Sequence, residues 1–145
     1  MSDFDRPLNK RGKKAAPQIG SEMKARGVQP DTILSSPSKR TKETAKLALE
    51  AAGIVQKPIF IEEIYEASLN DLKSILLKHA GDAASVMLIG HNPAMEELLL
   101  YLTGESEDFP TAALAKIQLD SDGWNKIYSG GGQLEWLIKP RELED

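Results

Sequence analysis

Two short blocks of this sequence hold side chains suited to handling an anion, Ser35-Ser36-Pro37-Ser38-Lys39-Arg40 and Gly90-His91-Asn92-Pro93. Arg40 would fall in the first turn of a helix. There a permanently charged fork of five N–H donors can meet phosphate beside backbone amides that have no partner within the helix. His91 follows an apolar run and precedes a tight helix start. An imidazole held there can donate to phosphate or exchange a proton near neutral pH. Each residue also has an ordinary reading, Arg40 as a surface charge and His91 as a histidine held at the rim of a core. Little else in the chain competes for chemistry. The absence of cysteine excludes disulfides, a thiol nucleophile and thiolate zinc sites, and a second histidine, His79, leaves little for a histidine-based metal cluster.

Charge is divided unevenly along the 145 residues. Residues 1–42 carry ten Lys or Arg against four Asp or Glu, and residues 43–145 carry eight against eighteen. The first part is the better place to receive an anion. Lys10, Arg11, Lys13 and Lys14 read more simply as a solvated helix face. A pI near 5.3, 6% aromatic residues and no interleaving of Arg with aromatics give no nucleic-acid signature. The composition, 41% hydrophobic and 28% charged, is that of an ordinary globular chain, and residues 1–145 are expected to form one domain. No apolar run reaches membrane-spanning length and MSDFDRPLNKRGKK lacks a secretory apolar stretch, so a cytoplasmic protein without a membrane partner is expected.

The elements that must position Arg40 and His91 alternate between strand and helix. Asn9 can cap a helix from about Lys10 to Arg26, with Ala16, Ile19 and Met23 inward, a bend expected at Pro17 and Gly27 as the stop. Asp31 to Ser35 reads as a short buried strand. Ser36 as cap and Pro37 as first residue open a second helix to about Ala52, with Thr41, Ala45, Ala48 and Ala52 inward and Gly53 ending it. Pro58 to Ile61 is a second short strand. Ser68 and Asp71 approximate a capping box for a helix carrying Leu72, Ile75, Leu76 and His79 on one face, closed by Gly81. Ser85 to Gly90 has the length and apolarity of a buried strand and delivers His91 at its tip. Asn92 and Pro93 start the next helix, with Met95, Leu98, Leu99 and Leu102 inward, and Thr103-Gly104 ends it.

The last third changes character. Residues 113–119 and 133–138 alternate apolar and polar side chains, Ser121-Asp122-Gly123 is a turn, and Trp124 to Tyr128 is short and strand-like. Antiparallel edge strands added to an α/β sheet fit this pattern, with a polar tail from Lys139 to Asp145. The fold class expected is a three-layer α/β/α sandwich, mostly parallel, with its ligand edge beyond the carboxyl ends of the strands.

Five colinear blocks make the combination specific: DFDRPLNKRG at 3–12, SSPSKRTKETA at 35–45, LIGHNPAMEELL at 88–99, FPTAALA at 109–115 and WLIKPREL at 136–143. Together they resemble the SixA-type phosphohistidine phosphatases, in the histidine phosphatase superfamily that includes the phosphoglycerate mutases. The resemblance implies a phosphoglycerate mutase-like fold and a hydrolase of phosphoric monoesters or phosphoramidates. In that chemistry a histidine takes the phosphoryl group from a phosphohistidine-containing protein or small phosphorylated substrate, and water then releases phosphate, with no metal or other cofactor. It puts the second family arginine on Arg40 and the second family histidine on His91, both stabilising charge on the phosphoryl oxygens. Asn92 and Ser36 become candidates for positioning phosphate, with helix capping as the competing role, and Arg6 a candidate for the entrance. Glu66, with Glu63 nearby, stands where many superfamily members carry a general acid. Protonated imidazole is already a good leaving group, which lessens the need for one.

In the family the chain opens with a hydrophobic strand ending in Arg-His, the histidine being the nucleophile. These 145 residues hold no counterpart of that block, and His79, at a helix end, is no substitute. The expectation is therefore a domain lacking the first strand, through a start assigned at an internal methionine, a shortened chain or natural loss. Such a chain would be inactive or feeble alone, with a noncatalytic binder of phosphate or phosphoprotein as the alternative reading.

Overall fold

Asn9 opens the first helix as its residue type predicts: its side chain accepts the amide of Gly12 at 2.9 Å, and α1 runs Lys10–Ala25 in the computed structural model, which describes residues 1–143. The helix is unbroken across Pro17 and buries Ala16, Ile19 and Met23. Beside it lies α2 (Lys39–Ala52), which buries Thr41, Ala45, Ala48, Leu49 and Ala52 and ends on Gly53 at φ 73°. The two backbones come close at Gly20, where any Cβ would strike the Ala48 carbonyl and the Ala51 methyl, so only glycine fits.

Between these helices the chain makes β1 (Thr32–Ser35), and after α2 come β2 (Ile59–Phe60), α3 (Leu69–His79) and β3 (Val86–Ile89). The three strands form a parallel sheet in the order β2-β1-β3, with Leu34 opposite Ile59 and Ser35 opposite Ile89. Adjacent side chains of β1 feed opposite cores. Ile33 packs with Ile19 and Met23 of α1 and Ala45 and Leu49 of α2, whereas Leu34 packs with Leu72, Ile75 and Leu76 of α3. Ala94, Leu98 and Leu102 of α4 (Ala94–Thr103) complete that second core. Period-two strand geometry thus produces a helix layer on each face of the sheet.

The chain then forms β4 (Leu114–Leu119) and β5 (Gly132–Ile138), an antiparallel pair with a register shift between Lys116 and Ile117. The architecture is a three-layer α/β/α sandwich with a mostly parallel sheet and an antiparallel C-terminal pair. Among the described residues no strand precedes α1.

Several expectations are corrected. The second helix is capped at Ser38, whose backbone is extended, and starts at Lys39; Ser36 and Pro37 stay outside it, and the Ser36 hydroxyl accepts the Ser38 amide at 3.3 Å. Residues 124–126 form a 3₁₀ turn instead of a strand, and the indole of Trp124 donates to the Ala83 carbonyl at 2.7 Å. The C-terminal strands pair with each other in a sheet of their own. β3 is half-buried along its whole length, and among the described residues no strand neighbours its outer edge. Pro140–Leu143 forms a 3₁₀ turn, and the end of the expected tail, residues 144–145, lies outside the described residues. The capping box at Ser68 and Asp71 is complete, with both reciprocal hydrogen bonds present. No described helix is long and apolar enough to cross a membrane.

Candidate active site

Because β1 and β3 are adjacent and parallel, the junctions that follow them emerge side by side at the carboxyl edge of the sheet. The Ser36 amide donates to the Ile89 carbonyl at 3.0 Å, tying the two junctions together just where the strands end. Ser36 is fully buried, and its hydroxyl lies 2.8 Å from Nε2 of His91. The other ring nitrogen, Nδ1, lies 3.5 Å from a terminal nitrogen of Arg40. A guanidinium only donates, so Nδ1 faces it with its lone pair, and the neutral ring carries its proton on Nε2, toward Ser36. Burial, and then the Arg40 charge, push the His91 pKa below 6.5, with the Asp3 carboxylate opposing in part.

Arg40 is also held from its other side. A terminal nitrogen donates to Oδ1 of Asp3 at 2.9 Å, and the second Asp3 oxygen accepts the Tyr65 hydroxyl at 2.6 Å. These two hydrogen bonds, that of Arg40 first, bring the Asp3 pKa down to about 2. The phenol is correspondingly harder to ionise, chiefly because it donates to that carboxylate. Phe4, Tyr65 and His91 stack edge to face in series, with centroids 5.0 and 5.4 Å apart. The segment at residues 3–4 therefore lies against the start of α2, where the Lys39 amide donates to the Phe4 carbonyl at 3.0 Å. That amide, expected to be free for an anion, already has a partner.

Arg40, His91 and Asn92 line one cavity of about 520 Å³, together with Met95, Phe109 and Pro110. The Asn92 side chain donates to the Phe109 carbonyl at 2.6 Å, so it holds the loop that walls the cavity, and it neither caps α4 nor points a free amide at an anion. Arg6 is exposed and close enough to Asp3 to help lower its pKa, and no contact joins it to His91 among the described residues. Glu66 is exposed, with a left-handed φ of 62°, and reaches the site only through its charge on Tyr65; Glu63 is exposed as well. His79 lies in the last turn of α3 and does not line the cavity. Among the described residues no group of three or more His, Asp or Glu side chains is placed to hold a metal ion.

Asp3 and Tyr65 were not singled out from the sequence. Asp3 lies within the DFDRPLNKRG block, where spacing alone gave no reason to join it to Arg40, and Tyr65 lies in an irregular segment with no periodic signal.

Residues 2–75 match the histidine phosphatase superfamily, branch 1. The chain belongs to that family. An uncharacterized chloroplastic protein of Arabidopsis thaliana is 31% identical over 153 residues, covering 97% of this chain and 70% of that protein. Among solved structures, one from Agrobacterium tumefaciens, provisionally assigned as the phosphohistidine phosphatase SixA, is 31% identical with a TM-score of 0.79, covering 97% of this chain and 87% of its own. A protein histidine phosphatase SixA solved with tungstate superposes with a TM-score of 0.82 at 24% identity, covering 99% of this chain and 90% of its own.

Proposed function

We propose that the cavity at Arg40 and His91 receives the phosphoryl group of a phosphohistidine-containing protein or a small phosphorylated substrate, and that the family reaction is phosphohistidine hydrolysis. The observation that supports this reading is the 3.5 Å approach of a guanidinium and an imidazole at the carboxyl edge of a parallel sheet, beside one cavity. Two rigid donors of that kind suit the charge that develops on the nonbridging oxygens during transfer. Ser36 fixes the His91 ring from behind. Arg40 supplies the permanent charge, and His91, neutral in the free site, gains a proton and donates once an anion is bound. Asn92 shapes the wall through Phe109, and Arg6 adds positive charge at the entrance. Glu66 stays the candidate general acid, acting from the edge of the site.

Transfer along the family route breaks the substrate P–N bond, sends a proton to the departing imidazole and forms a new P–N bond to an enzyme imidazole, which water then cleaves. His91 is occupied with oxygen stabilisation, and no second imidazole stands in the cavity among the described residues. Residues 1–145 are therefore expected to bind oxyanions and to turn over feebly or not at all. Assaying them against a phosphohistidine peptide with chelator present, beside a version carrying an upstream apolar strand ending in Arg-His, tests this. Turnover by the extended version alone supports the reading. Equal turnover by both contradicts the assignment of His91, and inactivity of both shifts the chain to a binding role.

A further inference from the structure

β2 closes one end of the parallel sheet, and among the described residues no strand pairs with its outer edge. Its two residues are apolar and half open to water, Ile59 at 48% and Phe60 at 45% exposure. Charge lies on either side of them, Lys57 before and Glu62 and Glu63 after, all exposed. Among the described residues none of these three makes an ion pair.

The hydrogen bonds to β1 fix which way this edge points. The Ile61 amide donates inward, to the Ser35 carbonyl at 2.9 Å. Backbone polar groups alternate sides along a strand, so the N–H and C=O of Phe60 both point outward, where they offer another strand one donor and one acceptor. The side chains alternate as well. Ile61 packs in the core of α3, so Ile59 shares that face, and Phe60 lies on the other, with the Lys42 ammonium of α2 5.1 Å from its ring centroid.

An edge of this kind is complementary to itself. Set antiparallel about a two-fold axis through Phe60, two copies exchange N–H···O=C bonds between their Phe60 residues, whose Cα atoms then lie about 5.5 Å apart with both rings on one face. On the other face Ile59 falls opposite Ile61 of the second copy. Lys57 of each copy comes beside Glu62 and Glu63 of the other, so opposite charges meet at both ends of the pairing. Two features keep the contact short and weak: Pro58 has no N–H to lengthen the ladder, and Lys42 meets its own copy on the Phe60 face.

We propose that the outer edge of β2 is a homodimer contact, in which two copies of this chain join their parallel sheets through antiparallel β2 strands centred on Phe60. The strands of the two sheets then run in opposite directions. The carboxyl edges that carry Arg40 and His91 therefore face opposite ends of the pair and stay open. The contact does not rest on the function proposed above.

Sedimentation of the 145-residue chain over a wide range of concentration, with amide exchange measured on the same samples, tests it. A monomer–dimer equilibrium is expected, with exchange at the Phe60 amide slowed at least about tenfold at the dimer end. Lys57→Glu should weaken the dimer about fivefold or more, by replacing attraction with repulsion at both ends. Adding Glu62→Lys and Glu63→Lys to that variant should restore most of the loss, since the signs are then exchanged and the attraction returns. Phe60→Asp should leave a folded monomer. A chain that stays monomeric at every concentration overturns the proposal. So does a dimer that leaves the Phe60 amide unprotected or survives Phe60→Asp, because the contact would then lie elsewhere, and so does a failure of the exchanged charges to restore the pairing.

Discussion

The guanidinium of Arg40 reaches within 3.5 Å of the His91 ring across 51 residues of sequence. The approach follows from one pairing, Ser35 opposite Ile89, which sets two strand-to-helix junctions next to each other. A carboxylate, Asp3, lies on the far side of the guanidinium.

Replacing Arg40 should remove anion binding without unfolding the protein. Arg40→Ala is expected to weaken sulfate or tungstate binding at least about tenfold, and Arg40→Lys to fall between, since an ammonium keeps the charge and loses the fork. The Arg40 side chain is one third exposed, so the thermal midpoint should move only slightly. Titration calorimetry and thermal melts on the same samples check both halves.

His91 gives the protein a pH dependence with a defined sign. Its pKa is lowered on folding, so below about pH 6.5 the unfolded chain takes up a proton before the folded one does. The stabilisation due to neutral His91 is fully present above that value and is lost as pH falls through the lower, folded pKa. Denaturant melts between pH 8 and 5 should show the loss, and His91→Gln should flatten that part of the profile. Bound anion works the other way: it favours the charged ring, so sulfate affinity should rise as pH falls toward 6 in the wild type and rise less in His91→Gln.

Asp3 is ionised at every pH of interest, with a pKa of about 2, and it stands on the charge that an incoming oxyanion needs. Asp3→Asn keeps one acceptor oxygen for Arg40, presents its NH2 group to the Tyr65 oxygen, and removes the competing charge. Tungstate affinity should increase by about three- to tenfold at low salt, with the gain shrinking as ionic strength rises. A decrease would mean that Asp3 serves the site chiefly by orienting Arg40.

Ser36 is the buried anchor of the imidazole. Ser36→Ala leaves the His91 Nε2–H without its 2.8 Å acceptor and the Ser38 amide without its own, at a cost of about 1–3 kcal/mol in stability. Nitrogen NMR of the ring should show the proton less confined to Nε2. A variant as stable as wild type with an unchanged ring spectrum would assign the anchoring to other contacts.

Much of this site was legible before any coordinates, and the limits have physical reasons. Ser35 and Gly90 end apolar runs that have nowhere to go but a sheet, and Arg40 and His91 follow at fixed short spacing, so their meeting is a property of α/β topology. The capping box at Ser68 is local chemistry and is equally readable. Ser36 was misread as a helix cap because a serine before proline has the right type for that role. Its hydroxyl is instead taken up by His91, a partner 55 residues away. Asp3 and Tyr65 were invisible for the same reason, since their bond spans 62 residues and neither lies on a periodic face. Trp124 looked like a strand residue because an aromatic favours strands, and its indole N–H found a carbonyl at Ala83 in a turn.

The most direct test of a shared oxyanion site is the ring of His91 itself. With imidazole nitrogens labelled, tungstate added at pH 7 should shift both His91 nitrogens toward the protonated form in the wild type, saturably, while the His79 signals stay in place. In Arg40→Ala the same additions should produce no saturable shift at His91. Saturable binding that leaves His91 unmoved, or a response at His91 that survives the loss of Arg40 at full strength, would contradict the joint assignment of these two residues to one phosphoryl site.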